Sequence, residues 1–106
     1  MHAVIITFES DIGPDELTAP FATYAEAHQG VGGLISKVWI HEGMTLGGFH
    51  LFVDRAQAEA YLESTLFAGV AANPGFRDFQ IGHFGVIDEL SARTGIPVLS
   101  TSAVPA

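Results

Sequence analysis

Three side chains in this sequence have the chemistry of proton abstraction and anion holding: the imidazoles of His50 and His83 and the ammonium of Lys37. Imidazole titrates near neutrality and suits a general base. An ammonium stabilises the oxyanion that deprotonation leaves behind. Around them stand groups suited to binding a planar substrate, namely Trp39, His41, Phe52 and Tyr61. Lys37, Trp39 and His41 alternate along one run, and His50 and Phe52 along the next. That spacing puts each set on one face of a strand. An apolar surface carrying a few placed polar groups is the composition of a ligand cleft. Core packing is the competing use of Trp39 and Tyr61, and snorkelling to solvent that of Lys37.

Other chemistries lack their patterns. There is no dinucleotide-binding glycine motif, no Walker loop and no serine elbow. The pairs Gly32-Gly33 and Gly47-Gly48 read as turn and strand-packing positions. The five histidines form no HxH or HxxxH pair, so a metal site would need three separate elements to converge. No metal is expected, and His2 and His28 are assigned structural or surface places. The absence of cysteine removes disulfides, thiolate catalysis and iron–sulfur ligation. Twelve acidic and four basic residues give a net charge of −8, which repels nucleic acid and anionic membranes. No apolar run approaches the roughly 20 residues of a membrane span, and Met1-His2-Ala3-Val4 has no signal-peptide layout. A cytoplasmic protein is the expectation.

The elements that must hold these residues follow from periodicity. Ala3 to Phe8 is a β-branched run of strand length, ended by Ile12-Gly13-Pro14. From Pro14 to Gln29 the pattern is helical, with Leu17, Phe21, Tyr24, Ala25 and His28 on one stripe. Pro20 inside it must kink the helix or restart it with Thr18 as a new N-cap. Leu34–Glu42 and Gly47–Val53 are strands joined through Gly43-Met44-Thr45-Leu46. A four-residue loop would set Trp39 opposite His50 and Lys37 opposite Phe52, and a one-residue change would move that pairing across the sheet. Asp54 caps a second helix from Arg55 to about Leu66 or Val70, with Gln57 as the capping-box partner. A turn at Ala71–Gly75 leads to a strand over Phe76–Ile87, where Gly82 and Gly85 hint at a bulge. Residues 88–106 read as an irregular tail, with Ile96-Pro97-Val98-Leu99 as an arm that docks on a partner or frays.

Strand, helix, strand, strand, helix, strand is the α+β, ferredoxin-like βαββαβ order, in one domain spanning residues 1–106. Two helices cover one face of such an antiparallel sheet, and a monomer would keep the other polar. Here both faces are apolar. With 48% hydrophobic residues and 15% charged the chain has a second face to bury. Roughly 500 Å² at ~25 cal/mol/Å² is worth roughly 12 kcal/mol before association costs. A homodimer with sheets face to face, a dimeric α/β barrel, is the expected assembly.

Gly33-Leu34-Ile35-Ser36-Lys37-Val38-Trp39, Gly47-Gly48-Phe49-His50-Leu51-Phe52-Val53-Asp54 and Ala58-Glu59-Ala60-Tyr61-Leu62-Glu63 together resemble the YdhR-like monooxygenases. These are small relatives of the antibiotic-biosynthesis monooxygenases within the dimeric α/β-barrel superfamily. The likeness runs from the first strand to about Ala92. It implies oxidation of a small aromatic or polyketide-like phenol with molecular oxygen as co-substrate and no cofactor. Haem-degrading relatives use an Asn on the first strand and a His on the second helix. This chain has Thr7 on that strand and no histidine on that helix.

A cofactor-free oxygenase must deprotonate a phenol or enol, hold the anion and exclude water. His50 or His83 would be the base, Lys37 the anion holder, and Trp39, Phe52 and Tyr61 the stacking walls. The alternatives are an isomerase, cyclase or lyase using the same base without oxygen, and a non-catalytic dimer that binds small apolar or aromatic ligands. Fold alone does not separate them.

Overall fold

A computed structural model describes residues 1–96. Its elements are β1 (His2–Ser10), α1 (Pro14–Ala27), β2 (Leu34–Glu42), β3 (Thr45–Phe52), α2 (Arg55–Leu62), α3 (Thr65–Ala71), β4 (Phe76–Gly85) and α4 (Asp88–Arg93). The four strands form one antiparallel sheet in the order β2-β3-β1-β4, which is the ferredoxin-like arrangement. Among the described residues no helix is long and apolar enough to cross a membrane.

Pro20 neither restarts nor ends α1, which runs unbroken through it. Thr18 does not cap; its hydroxyl donates back to the Pro14 carbonyl at 3.2 Å. The expected single second helix is two. Asp54 caps α2 by accepting from the Gln57 amide, and Ser64 caps α3 by accepting from the Phe67 amide. A new cap at Ser64 lets the chain turn so that both Tyr61 and Phe67 reach the core, which one straight helix would not do. Gly33 sits at φ +78, and a Cβ there would fall 2.5 Å from Gln57 Cγ. The α2 side chain therefore packs directly on the start of β2.

The β1–β4 ladder shifts register between Thr7 and Glu9, opposite Asp78, the one non-glycine at positive φ among the described residues. The bulge lies there and not at Gly82 or Gly85. Asp78 absorbs it because a short polar side chain tolerates the left-handed region.

Residues 88–93, read from sequence as irregular, form α4. Asp88 and Glu89 at its start and Arg93 at its end complement the helix dipole. Its N-cap is Ile87, with no capping side chain, so the usual start signal is missing. Pro97-Val98-Leu99 of the expected arm lies outside the described residues.

One sheet face packs against the helices. Val4, Ile6 and Phe52 meet Ala58, Tyr61 and Phe67 in one cluster, and Phe8 and Leu46 meet Leu17 and Phe76 in another. The opposite face carries Ile5, Phe49, Val38, Ile40 and Phe84, of which the last three are exposed. α4 borders this second face, where Ile87 and Leu90 line a groove with Ala3, Phe49 and Leu51.

Candidate active site

The hairpin between β2 and β3 is tighter than a four-residue loop. Glu42 pairs with Thr45 across Gly43-Met44, and Gly43 takes φ +59, as two-residue hairpins require. Thr45 and Leu46 join the ladder because each has a use there. The Thr45 hydroxyl donates to Glu9 at 2.8 Å, and Leu46 is buried. The register therefore slides by two. Lys37, not Trp39, stands opposite His50, and Trp39 stands opposite Gly48. A shift of two preserves the face, so Lys37, Trp39 and His50 remain together on the helix-covered side.

Gly48 makes room for the pair. A Cβ there would lie 2.7 Å from Lys37 Cε and 2.9 Å from His50 Cε1. Its neighbour Gly47 has a different reason: a Cβ would fall 1.9 Å from the Ile6 carbonyl oxygen, so only glycine lets β3 lie this close to β1.

Above these residues a cavity of about 400 Å³ opens between α1 and the sheet. Its walls are mostly apolar, including Ile6, Phe8, Leu17, Phe21 and Trp39. Among the described residues that line it, Lys37 is the one lysine or arginine and there is no carboxylate. Its ammonium lies 3.5 Å from the Trp39 ring centroid and 5.1 Å from that of Tyr24, a cation–π arrangement. Burial lowers the Lys37 pKa to about 7.

The floor is a hydrogen-bonded network reaching across three elements. His28 Nδ1 is 2.7 Å from the Tyr24 carbonyl. A carbonyl only accepts, so that nitrogen carries the hydrogen and Nε2 presents its lone pair. Two donors converge on that lone pair, the Tyr61 hydroxyl at 3.0 Å and Lys37 Nζ at 3.2 Å. The Tyr24 and Tyr61 hydroxyls are 2.8 Å apart. Burial pushes both phenols up, Tyr61 the further, and lowers His28, with the Lys37 charge as a smaller cause.

His50 follows the same tautomer logic. Its Nδ1 donates to the Val4 carbonyl at 3.3 Å, leaving Nε2 as an acceptor. That atom is buried and, among the described residues, has no hydrogen-bond partner. Burial first, and the Lys37 charge second, lower the His50 pKa to about 4, so the ring is neutral at physiological pH. A buried acceptor left open costs free energy unless a ligand donor fills it.

Of the residues expected from sequence, Lys37, His50, Trp39, His41 and Tyr61 line the cavity. Phe52 does not; it is fully buried in the core beneath, its ring 5.8 Å from Tyr61. His83 lies apart on β4, where its Nδ1 is 2.9 Å from His2 Nε2. The two residues that sequence reasoning passed over are His28 and Tyr24. Their signal was present: both fall on the apolar stripe of the first helix, and a histidine there must find a buried partner.

Among the described residues no cluster of three or more His, Cys, Asp or Glu is placed to hold a metal ion. Thr7 pairs with Gly47 and Gln80 on the face away from the cavity, and α2 and α3 contain no histidine.

Several solved structures share the fold. The structure of an antibiotic biosynthesis monooxygenase superposes with a TM-score of 0.65 at 14% identity, over 82% of this chain and 99% of that one. SnoaB, a cofactor-independent oxygenase from Streptomyces nogalater, gives 0.64 at 15% identity over 80% and 91%. A point mutant of MhuD, with two manganese protoporphyrin IX bound per active site, gives 0.64 at 19% identity over 82% and 95%. At such identities the likeness establishes the fold. No curated protein matches the sequence. Residues 4–96 match the family model described as "Putative mono-oxygenase ydhR", and the chain belongs to that family.

Proposed function

We propose that the protein is a cofactor-independent monooxygenase acting on a small, planar phenol or enol of aromatic or polyketide type. The observation that carries this reading is the facing pair at the cavity floor, Lys37 with a pKa near 7 and His50 with an unpartnered Nε2. The apolar cavity, the family and the SnoaB-type fold support it.

The roles differ from those expected on sequence. His50, at about 4, is a weak base, whereas Lys37 is partly free amine at neutral pH and better matched to the task. A substrate hydroxyl or acidic C–H gives its proton to the Lys37 amine. His50 Nε2 accepts a hydrogen bond from a second substrate donor and orients the ring. Proton transfer turns two neutral groups into a buried ion pair, so the new ammonium stands beside the anion it made. Trp39 and Tyr24 supply flat walls. The electron-rich anion passes one electron to oxygen, and the radical pair recombines to a carbon-bound peroxide anion, which takes back the proton held by Lys37. Loss of water then converts the CH–OOH unit to C=O, one oxygen atom remaining in the product and one leaving as water.

Oxygen uptake with a panel of hydroquinones and anthrones tests the reading. Turnover that stops under argon is expected. No uptake with any member of the panel, or conversion that continues without oxygen, would overturn it, the latter in favour of an isomerase or lyase.

A second copy of the chain is proposed to cover the exposed apolar face that carries Val38, Ile40 and Phe84. A patch of this kind on a small domain marks an interface. Sedimentation at micromolar concentration should show a dimer, and a monomer would remove the proposal.

A further inference from the structure

Lys37 is the only lysine in the sequence, and the fold sets it in an apolar cavity with its amine reachable from inside. Its three neighbours hold it there without neutralising it: the Trp39 ring at 3.5 Å, the Tyr24 ring at 5.1 Å and His28 Nε2 at 3.2 Å. Among the described residues no carboxylate lines the cavity. A lone amine desolvated in an apolar pocket is the environment that activates lysine as a nucleophile toward carbonyl carbon. Proton abstraction alone does not call for a proton acceptor of its own behind the amine, yet His28 supplies one. Imine formation does call for it.

We propose that the cavity also takes neutral aromatic aldehydes and ketones and holds them covalently as imines on Lys37 Nζ, with His28 carrying the protons. The free amine adds to the carbonyl carbon, forming the N–C bond as the C=O π pair moves to oxygen. The extra proton on nitrogen passes to His28 Nε2 and the alkoxide takes one from the medium, giving a neutral carbinolamine. His28 then returns its proton to the carbinolamine hydroxyl. The C–O bond breaks, water leaves, and the nitrogen lone pair closes the C=N bond, the proton left on nitrogen returning to the medium. The sum is amine plus carbonyl giving imine plus water, with no oxidant or reductant.

His28 is suited to both transfers. Its Nδ1–H is tied to the Tyr24 carbonyl, which keeps the Nε2 lone pair aimed at Lys37, and the Tyr61 hydroxyl at 3.0 Å fixes the ring from the other side. The other titratable groups lining the cavity with Lys37 are His41 on β2, His50 on β3, Tyr24 on α1 and Tyr61 on α2. A lysine pKa near 7 keeps free amine available at neutral pH. This chemistry stands apart from the oxygenase reading and needs only the cavity.

The experiment is reductive trapping of the full chain under argon with 2-naphthaldehyde and cyanoborohydride, read by peptide mass mapping. The urea-unfolded chain is the reference, since there Lys37 is an ordinary lysine. In folded protein at pH 7 Lys37 is expected to be modified at least about tenfold faster than in urea. His28→Gln, which keeps an acceptor but cannot carry the proton, should slow Lys37 trapping about tenfold and change its solvent deuterium isotope effect, while the acid limb set by Lys37 itself remains. Tyr61→Phe, a near-isosteric change, should slow it less. Lys37 labelling of folded protein no faster than in urea would overturn the nucleophile. An unchanged rate and isotope effect in His28→Gln would overturn the role of His28. Failure of oxygen uptake with the phenol panel would leave these results untouched, and failure here would leave oxygen uptake untouched.

Discussion

Two histidine pairs in the one chain have opposite fates. His2 and His83, on β1 and β4, are 2.9 Å apart and bond to each other. His28 and His50 have ring centroids 6.2 Å apart, too far to pair, and each gives its Nδ1 hydrogen to a backbone carbonyl. The first pair is closed on itself. In the second, His28 Nε2 takes the Tyr61 hydroxyl and Lys37 Nζ, and His50 Nε2 has no hydrogen-bond partner among the described residues, beside the cavity that holds Lys37. Residue type is the same in both, and His50 and His83 even flank Val4 on one sheet face, so usable chemistry here comes from standing beside a void and an amine.

The sharpest way to break this contrast is to remove the amine. Lys37→Met keeps the length and the apolar stem but deletes the base. Oxygen uptake with the best phenol should fall about 10³-fold, in the range of general-base catalysis. The fold should be retained, because a desolvated amine contributes little to stability. The pH dependence of urea unfolding gives a second readout. Lys37 has its folded pKa depressed from 10.5 to about 7. Its stabilising contribution is therefore present above pH 10.5 and is lost as pH falls through 7. Lys37→Met should flatten that slope, and an unchanged slope would contradict the buried placement.

His50→Leu should cost about 10²-fold in kcat/KM, mostly through KM if the ring orients the substrate without taking its proton. The folded pKa of His50 is depressed from 6.5 to about 4. The unfolded chain thus binds more protons in that window, and stability is lost as pH falls from 6.5 to 4. The loss from this one residue is about 3 kcal/mol. Denaturation series at pH 7 and pH 4 should show it in the parent chain and not in His50→Leu.

Gly48→Ala places a methyl where Lys37 Cε and His50 Cε1 now lie. Lysine, the more flexible, should swing away, reducing turnover about tenfold, with about 1–3 kcal/mol lost to overpacking. Wild-type turnover with a normal melting curve would show that the facing pair is not needed. The smallest effect is expected at the closed pair. His83→Ala should leave turnover within about twofold. A large loss in a folded His83→Ala protein would erase the distinction between the two pairs and return His83 to the role expected from sequence.

Several of these features are visible in the amino-acid sequence for local reasons. Strand alternation alone assigns Lys37, Trp39 and His41 to one face and His50 and Phe52 to another shared one, and a two-residue slide does not disturb it, because the period is two. The 3.6-residue stripe of α1 and the Asp54 cap were equally readable. What tertiary structure decided is which faces meet. The tight turn at Gly43-Met44 put Lys37, rather than Trp39, opposite His50, since Thr45 and Leu46 found partners on the ladder and in the core. The meeting of β4 with β1 brought His83 to His2 and away from the cavity. The docking of α1 over the sheet brought His28, with no motif to mark it, to within 3.2 Å of Lys37. Periodicity is a property of neighbours along the chain and survives in the sequence. The site is made by residues far apart along the chain, and only the packing that excludes water from all of them at once brings them together.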